Sequence, residues 1–397
     1  MMKAILKTFK SGNGDCIFFQ LISEISHYVI MIDCGKYTAE IQQFVEGDLN
    51  KHINLLIVTH IDNDHINGIV EMLQLNNDLQ IDNILYNCYQ KLNDQQAQNM
   101  TEKTKKDIEK LIQSLPPTGK INDGKINMEK ASTLASILLN NNNWNTAWHK
   151  EDYITAGIPN YELGESFGNL VFLSPMREDI KTLDEKFARE YMRLTHHTLD
   201  GIPFSGQETL YELVTRLVTM KKKEYQLCHP KKATHDVALF NDKQLTAAYR
   251  FIPTTITDEN TASIAFIWEG GDKKVLFMGD AEPIIVEKSI ASKIGSDKLN
   301  FEAIKVSHHG SKHSTSIGLM NLVDSSNYFI TGGNIKDKPS LEAIIKIVNR
   351  GDSRERLLHR NYERNELMNN IASPKGVMLR NKYNFIISDQ NELEFEY

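Results

Sequence analysis

The sequence predicts a mixed α/β fold, and three features of its hydrophobic pattern lead to that prediction. Short runs rich in β-branched and aromatic residues recur near both ends of the chain and have the length of strands. Between residues 53 and 87, an apolar run, a polar loop, a stretch of helical periodicity and a second apolar run follow one another, which is the order of a β-loop-α-β unit. Two longer stretches of mostly helical pattern separate the β-rich parts. With 397 residues, the chain is long enough for one elaborated domain or for two average ones.

The amino-terminal part is predicted to be rich in strands. The turn-forming stretches SGNGD and DCGK punctuate three strand-like runs, KAILKTF, CIFFQLI and HYVIMID. INLLIVT at 53–59 is continuously apolar and suits a strand that is covered on both faces. HINGIVEMLQL then has helical spacing, with Asp64 near the helix start, where a carboxylate is favoured. IDNILYN at 81–87 is the next predicted strand.

Two helical insertions are predicted, at 90–165 and at 176–250, and NLVFLSP at 169–175 forms a strand between them. Their clearest helices are NMEKASTLASILLNNNN and ETLYELVTRLVTMKKK. Farther along, ASIAFIWEGGDKKVLFMGD predicts a hairpin that turns at EGGDK, and FEAIKVS and NYFIT predict strands. Residues 336–397 are predicted to form a helix, PSLEAIIKIVN, and closing strands in YNFIISDQNELEFEY.

The composition argues against some classes of function. The formal net charge of -7 gives no overall attraction to nucleic acid or acidic lipid, so such a contact would need a local basic face or bound metal ions. No run approaches the roughly 20 apolar residues of a membrane span, and we expect no membrane contact. The four cysteines, at 16, 34, 88 and 228, form no CxxC pair, which is typical of reduced thiols. We therefore expect a cytoplasmic protein.

The stretch VTHIDNDHINGI at 58–69 concentrates groups that bind metals or transfer protons. His60 directly follows the apolar run, at the carboxyl end of a predicted strand, where ligands gather in layered α/β folds. Asp62, Asp64 and His65 follow in a tight loop that can aim them at one point. Carboxylates and imidazoles that converge without a cation repel one another and are poorly solvated, and a metal ion removes that cost. A solvated polar loop is the alternative.

Two other predicted strand ends have groups of the same kind. KKVLFMGDAE places Asp280 behind an apolar run, although a turn aspartate is the simpler explanation for this residue alone. AIKVSHHGSKHSTS places His308 and His309 behind another. Because adjacent side chains normally point in different directions, we expect at most one of them to bind a metal directly and the other to orient a ligand or transfer protons. The loop then continues with donors typical of an anion site, unless it is only a hydroxyl-rich surface loop. These donors are Ser311, Lys312, His313, Ser314 and Thr315.

Together, H-x-D-x-D-H-x-x-G, a strand-ending G-D and a strand-ending H-H-G-S resemble the motifs of the metallo-β-lactamase fold. Within that superfamily, the chain is most similar to the hydrolase domain of ComEC-type competence proteins and their stand-alone soluble relatives. SGNGDCIFFQ resembles the G-x-G-D opening of that group, IMIDCGK its I-D-x-G turn, and TDENTASIAFIWEGGDKKVLFMGDAE the hairpin that leads to G-D. The resemblance covers roughly 1–85 and 165–335. It implies one domain over 1–397, an αββα sandwich with helical insertions and a site on the rim between two sheets.

The resemblance also implies two divalent cations as cofactors. His60 and Asp62 would bind one metal. Asp64 and His65 would bind the second, with His308 beside them.

Asp280 would bridge the two metals, and Asp33 would support the loop from behind the ligands. Two departures from the family pattern concern the metal. The commonest motif has His where this chain has Asp62, and the usual third-motif His has no counterpart, with Glu259 or Asn260 near its place. A carboxylate in place of an imidazole makes a site harder, which moves its preference from zinc towards manganese or magnesium.

These residues predict a metal-dependent hydrolase, in the first place a phosphodiesterase or nuclease that uses a metal-bound hydroxide at a dinuclear site. The predicted catalytic residues are Asp64, His309, Lys312 and His313. Lys312 would be a point charge on the phosphate, and His309 or His313 would protonate the leaving oxygen. The predicted partners are nucleic acid or another phosphodiester, and a protein partner is also compatible with the insertions.

Two alternatives remain open. The same metal site would serve an ester, thioester or lactone hydrolase, or the missing third-motif histidine would leave a metal-poor module that binds a partner protein. A basic segment from Arg216 to His235 would extend a nucleic-acid path, although a solvated helix end explains that segment more simply.

Overall fold

Two large sheets pack face to face in this chain, and helices cover their outer faces. The computed structural model describes residues 2–88, 106, 134–149, 153–164, 166–195, 240–254, 256–333, 335, 337–362 and 366–397. The helix predicted in ETLYELVTRLVTMKKK, the basic segment at 216–235 and most of the first insertion lie outside these residues.

Among the described residues, the first sheet has the strand order β16-β1-β2-β3-β4-β5. Its first four strands pair antiparallel, and β3, β4 and β5 pair parallel. Alternate residues face opposite sides: along β2, Ile17 and Phe19 face the second sheet, whereas Phe18 faces the outer helices. The strands span Lys3–Thr8 (β1), Ile17–Ile22 (β2), His27–Ile32 (β3), His52–Val58 (β4), Gln80–Tyr86 (β5) and Glu392–Glu396 (β16).

The second sheet has the order β15-β14-β13-β11-β9-β8-β7-β6. Strands β6 to β9 pair antiparallel, whereas β9, β11, β13, β14 and β15 pair parallel. A separate parallel pair joins β10 and β12. The strands span Tyr161–Glu162 (β6), Asn169–Ser174 (β7), Ala265–Gly270 (β8), Lys273–Phe277 (β9), Leu299–Phe301 (β10), Ala303–Lys305 (β11), Val323–Ser325 (β12), Asn327–Ile330 (β13), Arg356–Arg360 (β14) and Phe385–Ser388 (β15).

Each sheet buries its outer face under amphipathic helices. The helices that pack on the first sheet are Ala39–Gln43, Asn63–Leu75, Leu134–Asn140, Asn142–Ala147 and Arg177–Thr195. Those that pack on the second sheet are Asp242–Arg250, Pro283–Lys293, Ile317–Leu322, Leu341–Val348, Glu366–Ala372 and Val377–Tyr383. A short helix, Asp258–Thr261, precedes β8.

The central layer between the sheets is apolar and aromatic. Phe19 of the first sheet contacts Trp268 and Phe277 of the second, with ring centroids 4.9 and 5.5 Å apart. All three side chains are buried. Burial of aromatic side chains contributes a large share of the hydrophobic stabilisation in such a core. The predicted αββα sandwich of mixed α/β class is therefore confirmed.

Most element predictions are confirmed within the described residues, including the hairpin at EGGDK and the helix in PSLEAIIKIVN. The prediction of a single strand in FEAIKVS is wrong. The strand is interrupted at Glu302, because Phe301 belongs to β10 and pairs with β12, whereas Ala303 belongs to β11 and pairs with β9. Strand β14 was not predicted, because its Arg356, His359 and Arg360 interrupt the apolar pattern. None of the described helices combines the length and hydropathy that crossing a bilayer requires.

Candidate metal centre

Strand ends from both sheets meet along one rim of the sandwich. Strand β4 ends at Val58, shortly before His60. Strand β9 ends at Phe277, shortly before Asp280, and β11 ends at Lys305, shortly before His308. A backbone hydrogen bond joins the sheets at this point, from the Ile264 N–H to the Thr59 carbonyl oxygen at 2.9 Å. Three segments that are far apart in the sequence therefore place polar side chains in one region.

Asp33, at the end of β3, fixes the direction of two imidazole rings. Its Oδ1 accepts a hydrogen bond from the Thr59 N–H at 2.7 Å, and its Oδ2 accepts from the Thr59 hydroxyl at 2.6 Å and from His65 Nδ1 at 2.8 Å. Because the only hydroxyl hydrogen of Thr59 goes to Asp33, the hydroxyl oxygen accepts from His60 Nδ1 at 3.0 Å. Both rings are thus held through Nδ1, which leaves Nε2 of each as the free nitrogen.

These two free nitrogens face a common carboxylate. The distance from Asp280 Oδ2 to His60 Nε2 is 3.8 Å, and the distance from Asp280 Oδ1 to His65 Nε2 is 3.5 Å. All three side chains are at most 3% exposed. Within the described residues, His60 Nε2, His65 Nε2 and Asp280 Oδ1 have no hydrogen-bond partner. These residues can present ligand atoms that all lie within 4.8 Å of one another.

Asp62 lies on the more open side of this group. It is the N-cap residue of the helix Asn63–Leu75, yet its carboxylate makes no capping hydrogen bond. One of its oxygens lies 3.8 Å from His60 Nε2 instead, and the side chain is 23% exposed. Because an N-cap aspartate normally accepts from the first helical N–H groups, this orientation leaves the carboxylate available to a cation.

A second group is formed by Asp64, His65 and His309. His309 Nε2 lies 3.5 Å from Asp64 Oδ2. On the other side of the ring, His309 Nδ1 lies 3.3 Å from Asp15 Oδ1. The second oxygen of Asp15 lies 2.6 Å from the ammonium of Lys305, and both residues are 1% exposed. Asp15 and Lys305 therefore form a buried pair behind His309.

His308 and His309 both reach the cluster. His308 Nε2 lies 3.4 Å from Asp280 Oδ2, whereas His309 faces Asp64. The two side chains thus face different carboxylates, and the expectation that at most one of them binds a metal directly stays a prediction. His308 and His309 adopt φ of 51° and 55°, so two successive residues have a left-handed backbone at the rim.

Burial and neighbouring charges shift the pKa values of Asp62 and Asp280 in opposite directions. Burial, together with Asp64 and Glu259, raises the pKa of Asp62 to about 7. Burial would also raise the pKa of Asp280, but His308 and His65 hold it well below its usual range. Asp62 thus lacks neighbours that offset its burial, whereas imidazoles on several sides stabilise the ionised form of Asp280.

The pKa values of the histidines also differ from one another. Burial and the proximity of His65 lower the pKa of His60 to about 4, and burial lowers the pKa of His308 to about 3. Burial opposes protonation of His65 too, but Asp280 and Asp33 raise its pKa well above the usual value. Neutral imidazoles are the form that binds metals, so His60 and His308 are ready to bind, whereas His65 would release a proton.

The donor set fits divalent cations. Buried nitrogen and oxygen atoms without partners are unfavourable unless another species binds them. The groups His60–His65–Asp280 and Asp64–His65–His309 combine imidazole with carboxylate, a set that suits zinc, iron or manganese. A third grouping, of Asp15, Asp33 and His65, is less suitable, because Asp33 and Asp15 already accept hydrogen bonds or ion pairs.

A cavity of about 540 Å³ opens beside these groups. Asp62, Asp64 and His308 line it, together with two lysines, Lys36 and Lys338. The remaining lining residues are Gly12, Asn13, Gly35, Asn63, Asn67, Glu71 and Ile335. A small polar substrate can therefore approach the carboxylates and His308 from this side.

The hydroxyl donors predicted from the sequence are buried inside the protein and do not line this cavity. Ser311, Ser314 and Thr315 are buried. The Ser314 hydroxyl lies 3.3 Å from His308 Nδ1, which holds that ring from behind. A direct contact of these hydroxyls with substrate stays a prediction.

Lys312 and His313 also lie outside the lining of the cavity. The Lys312 ammonium lies over the ring of Phe251, 5.2 Å from its centroid. His313 Nδ1 lies 2.9 Å from the Thr254 hydroxyl oxygen. Their catalytic roles likewise stay predictions.

Asn260 and Glu259 lie near the place expected from the sequence. Asn260 Nδ2 is 3.3 Å from His308 Nδ1. The Glu259 carboxylate is 2.7 Å from the ammonium of Lys186, which lies on the helix Arg177–Thr195. The described part of the second predicted insertion therefore contacts the rim of the site.

Sequence reasoning missed three residues of this region: Asp15, Lys305 and Lys338. Asp15 closes the quoted SGNGD turn, so the motif contained it without showing its role. Lys305 is a lysine inside the otherwise apolar AIKV, and a charge within a buried strand is a usable signal. Lys338 follows a loop with no recognisable pattern, and the sequence offers no signal for it.

No protein-family model matches the chain, and no curated protein does. Among solved structures, the metallo-β-lactamase fold protein YhfI from Bacillus subtilis matches with 10% identity and a TM-score of 0.37, over 100% of this chain and 99% of YhfI. CmlA, a diiron β-hydroxylase from Streptomyces venezuelae, matches with 10% identity and a TM-score of 0.37, over 99% of this chain and 54% of CmlA. The chain thus spans about half the length of CmlA. Such low scores lend no weight to any particular activity.

Proposed function

We propose that this protein is a metal-dependent hydrolase that cleaves phosphodiesters, with nucleic acid or nucleotides as the substrate class. The observation on which the proposal rests is the set of buried, unpartnered atoms of His60, His65 and Asp280 beside an open cavity. Divalent cations at such sites lower the pKa of bound water to near neutrality and offset charge on phosphoryl oxygens.

The side chains of the protein would hold the cations and the substrate in defined positions. His60, His65 and Asp280 would hold one cation, and Asp64 with His309 would hold a second beside His65. Asp33 fixes the tautomer of His65, because it accepts the hydrogen of Nδ1. Since these groups are set before substrate arrives, little reorganisation is needed during the reaction.

An anionic substrate is favoured by the cavity lining. Asp62, which lies beside His60, and Asp64 would bind cations. The other charged lining residues are Lys36, Lys338 and Glu71, so positive charge exceeds negative charge on the remaining wall. A neutral ester would gain less from such a wall than a phosphodiester.

The test is hydrolysis by metal-free protein that is reloaded with Mn²⁺, Zn²⁺ or Mg²⁺ in turn. The substrates are bis(p-nitrophenyl) phosphate, single- and double-stranded DNA, RNA and cyclic nucleotides. We expect cleavage with at least one metal, and a loss in His65→Ala greater than the roughly 10–100-fold that loss of an outer partner of a ligand costs. His52→Ala is the matched control, because His52 is 42% exposed in its pair with Asp82 and is not part of the centre.

Inert phosphodiesters with every metal, or full activity in His65→Ala, would contradict the proposal. Turnover of an ester, thioester or lactone panel with inert phosphodiesters would favour the second hydrolase class. Near-zero tightly bound metal, unchanged by Asp64→Ala, would favour a partner-binding module.

A further inference from the structure

Lys338 lies at the cavity beside the metal centre, in the loop that follows β13. Its backbone is fixed relative to the histidine loop by short-range contacts. The Lys338 N–H donates to the Ile335 carbonyl oxygen at 3.2 Å, and the Ser340 N–H donates to the Gly310 carbonyl oxygen at 2.9 Å. Gly310 packs so closely on Pro339 that an added Cβ would lie 2.6 Å from the proline Cβ. Lys338 is therefore tied to the segment that contains His308 and His309.

The ammonium group of Lys338 interacts electrostatically with charged residues of the candidate metal centre. Burial lowers its pKa, while Asp280, Asp64 and Asp62 favour its charged form. It also disfavours protonation of His308. Lys338 thus lines the same cavity as Asp62 and Asp64 of the predicted metal centre.

Cation binding would change the net charge of the groups around Lys338. Once Asp280, Asp64 and Asp62 bind divalent cations, their negative charge is offset, and Lys338 adds to a positive wall. An anion in the cavity would then restore local neutrality, and a lysine suits this role as a compact charge with three donors.

Lys312, the lysine predicted from the sequence for this role, has a different environment. Its ammonium lies over the Phe251 ring, and Lys312 does not line the cavity. Of these two lysines, Lys338 is the one that lines the cavity.

We propose that Lys338 binds an anionic oxygen of the substrate, a phosphate oxygen, in the cavity beside the metal centre. This inference rests on the proposed function, because it assigns the contact that would hold a phosphodiester there. The competing role for Lys338 is to occupy the place of a second cation.

The experiment is calorimetric titration of inorganic phosphate into the full chain loaded with Mn²⁺. We expect Lys338→Ala to weaken phosphate binding roughly 10-fold to 100-fold, as loss of a hydrogen bond to a charged group does. Lys338→Arg should recover part of that loss. Lys3→Ala is the control and should stay within about 2-fold of wild type, because Lys3 pairs with Glu394 and does not line the cavity. Circular dichroism and metal content, measured for every variant, should match wild type.

Kinetics supply a second readout. With bis(p-nitrophenyl) phosphate, Lys338→Ala should raise KM more than it lowers kcat. With the uncharged ester p-nitrophenyl acetate, if it is turned over, KM should not change.

Several results would overturn the inference: wild type that binds no phosphate, Lys338→Ala that binds it as wild type does, or an equal loss in Lys3→Ala. A higher metal content in Lys338→Ala would assign the lysine to cation replacement instead. Phosphate binding that depends on Lys338 without any phosphodiester cleavage would leave the anion site intact and refute only the proposed function.

Discussion

At the scale of single residues, Asp33 links the end of β3 to the direction of the imidazoles. Its φ of 55° is unusual for a residue other than glycine, and its two oxygens accept three hydrogen bonds from Thr59 and His65. A carboxylate that is fully buried and so engaged serves better to orient a ligand than to bind a metal itself.

Asp33→Asn should weaken metal binding. An amide has one acceptor oxygen and an NH₂ group, so it cannot accept from Thr59 and His65 through both ends. We expect an affinity loss of roughly 10–100-fold, measured by competition with a chromophoric chelator. Asp389→Asn is the control, because Asp389 is 65% exposed in its pair with Arg360. Unchanged affinity in Asp33→Asn would show that the His65 orientation does not depend on this carboxylate.

At the scale of elements, the turn between β1 and β2 packs against the first turn of the helix Asn63–Leu75. A Cβ added to Gly14 would lie 1.5 Å from the Asp64 carbonyl oxygen. This close approach places Asp15, the next residue, behind His309. The turn and the helix start therefore determine together where Asp64 and His309 meet.

Gly14→Ala should displace the start of that helix. Overpacking of this kind costs typically about 1–3 kcal/mol and sometimes more, because backbone must move. We expect a lower free energy of unfolding in urea and weaker metal binding. Gly47→Ala is the matched control, since a Cβ there would have no neighbour within 4 Å. Equal stability of the two variants would refute the close packing.

These elements differ in how far the sequence could predict them. The helix after His60 was predictable, because its apolar spacing repeats on one side and a buried strand precedes it. The break at Glu302 was not, because it depends on which neighbour each half of the segment pairs with, β12 or β9. The left-handed backbone of His308 and His309 has no signature in two non-glycine residues, so this backbone conformation could not be predicted either.

Strands β12 and β14 are joined by a buried carboxylate. Asp324 is fully buried, and Arg356 contacts it through Nε at 3.1 Å and Nη2 at 2.8 Å. Lys298 also lies 2.8 Å from it. Burial would raise the pKa of Asp324, but Arg356 and Lys298 hold it well below its usual range. The ionised carboxylate therefore stabilises the folded state.

Asp324→Asn should destabilise the protein at neutral pH by roughly 3–5 kcal/mol, because Arg356 remains buried with less compensation. Since the folded pKa is depressed, the stabilisation in wild type is present above the unfolded pKa of about 3.9 and is lost as the pH falls below it. Urea unfolding from pH 7 to pH 3 should show a constant difference between the two proteins that narrows below about pH 4. A difference that does not change with pH would contradict this account.

At the scale of the whole molecule, the metal centre lies where two sheets from opposite parts of the chain meet. The sandwich could be predicted through a family resemblance carried by short motifs, and so could the residues at the three strand ends. The pair of Asp15 and Lys305 could not, because a turn aspartate and a lysine inside an apolar run do not show in the sequence that they contact each other. Only packing of the sheets brings Asp15 from the first and Lys305 from the second to 2.6 Å.

This pair should couple the sheets energetically. Lys305→Met leaves Asp15 buried beside Thr331 and His309 without its lysine partner, and loss of one partner of a buried pair costs roughly 3–5 kcal/mol. Adding Asp15→Asn removes the unpaired charge, so the double variant should be more stable than Lys305→Met alone. Unfolding of wild type, both single variants and the double variant in urea measures the coupling free energy. If the losses of the single variants simply add, the two groups act independently, and the pair does not couple the sheets.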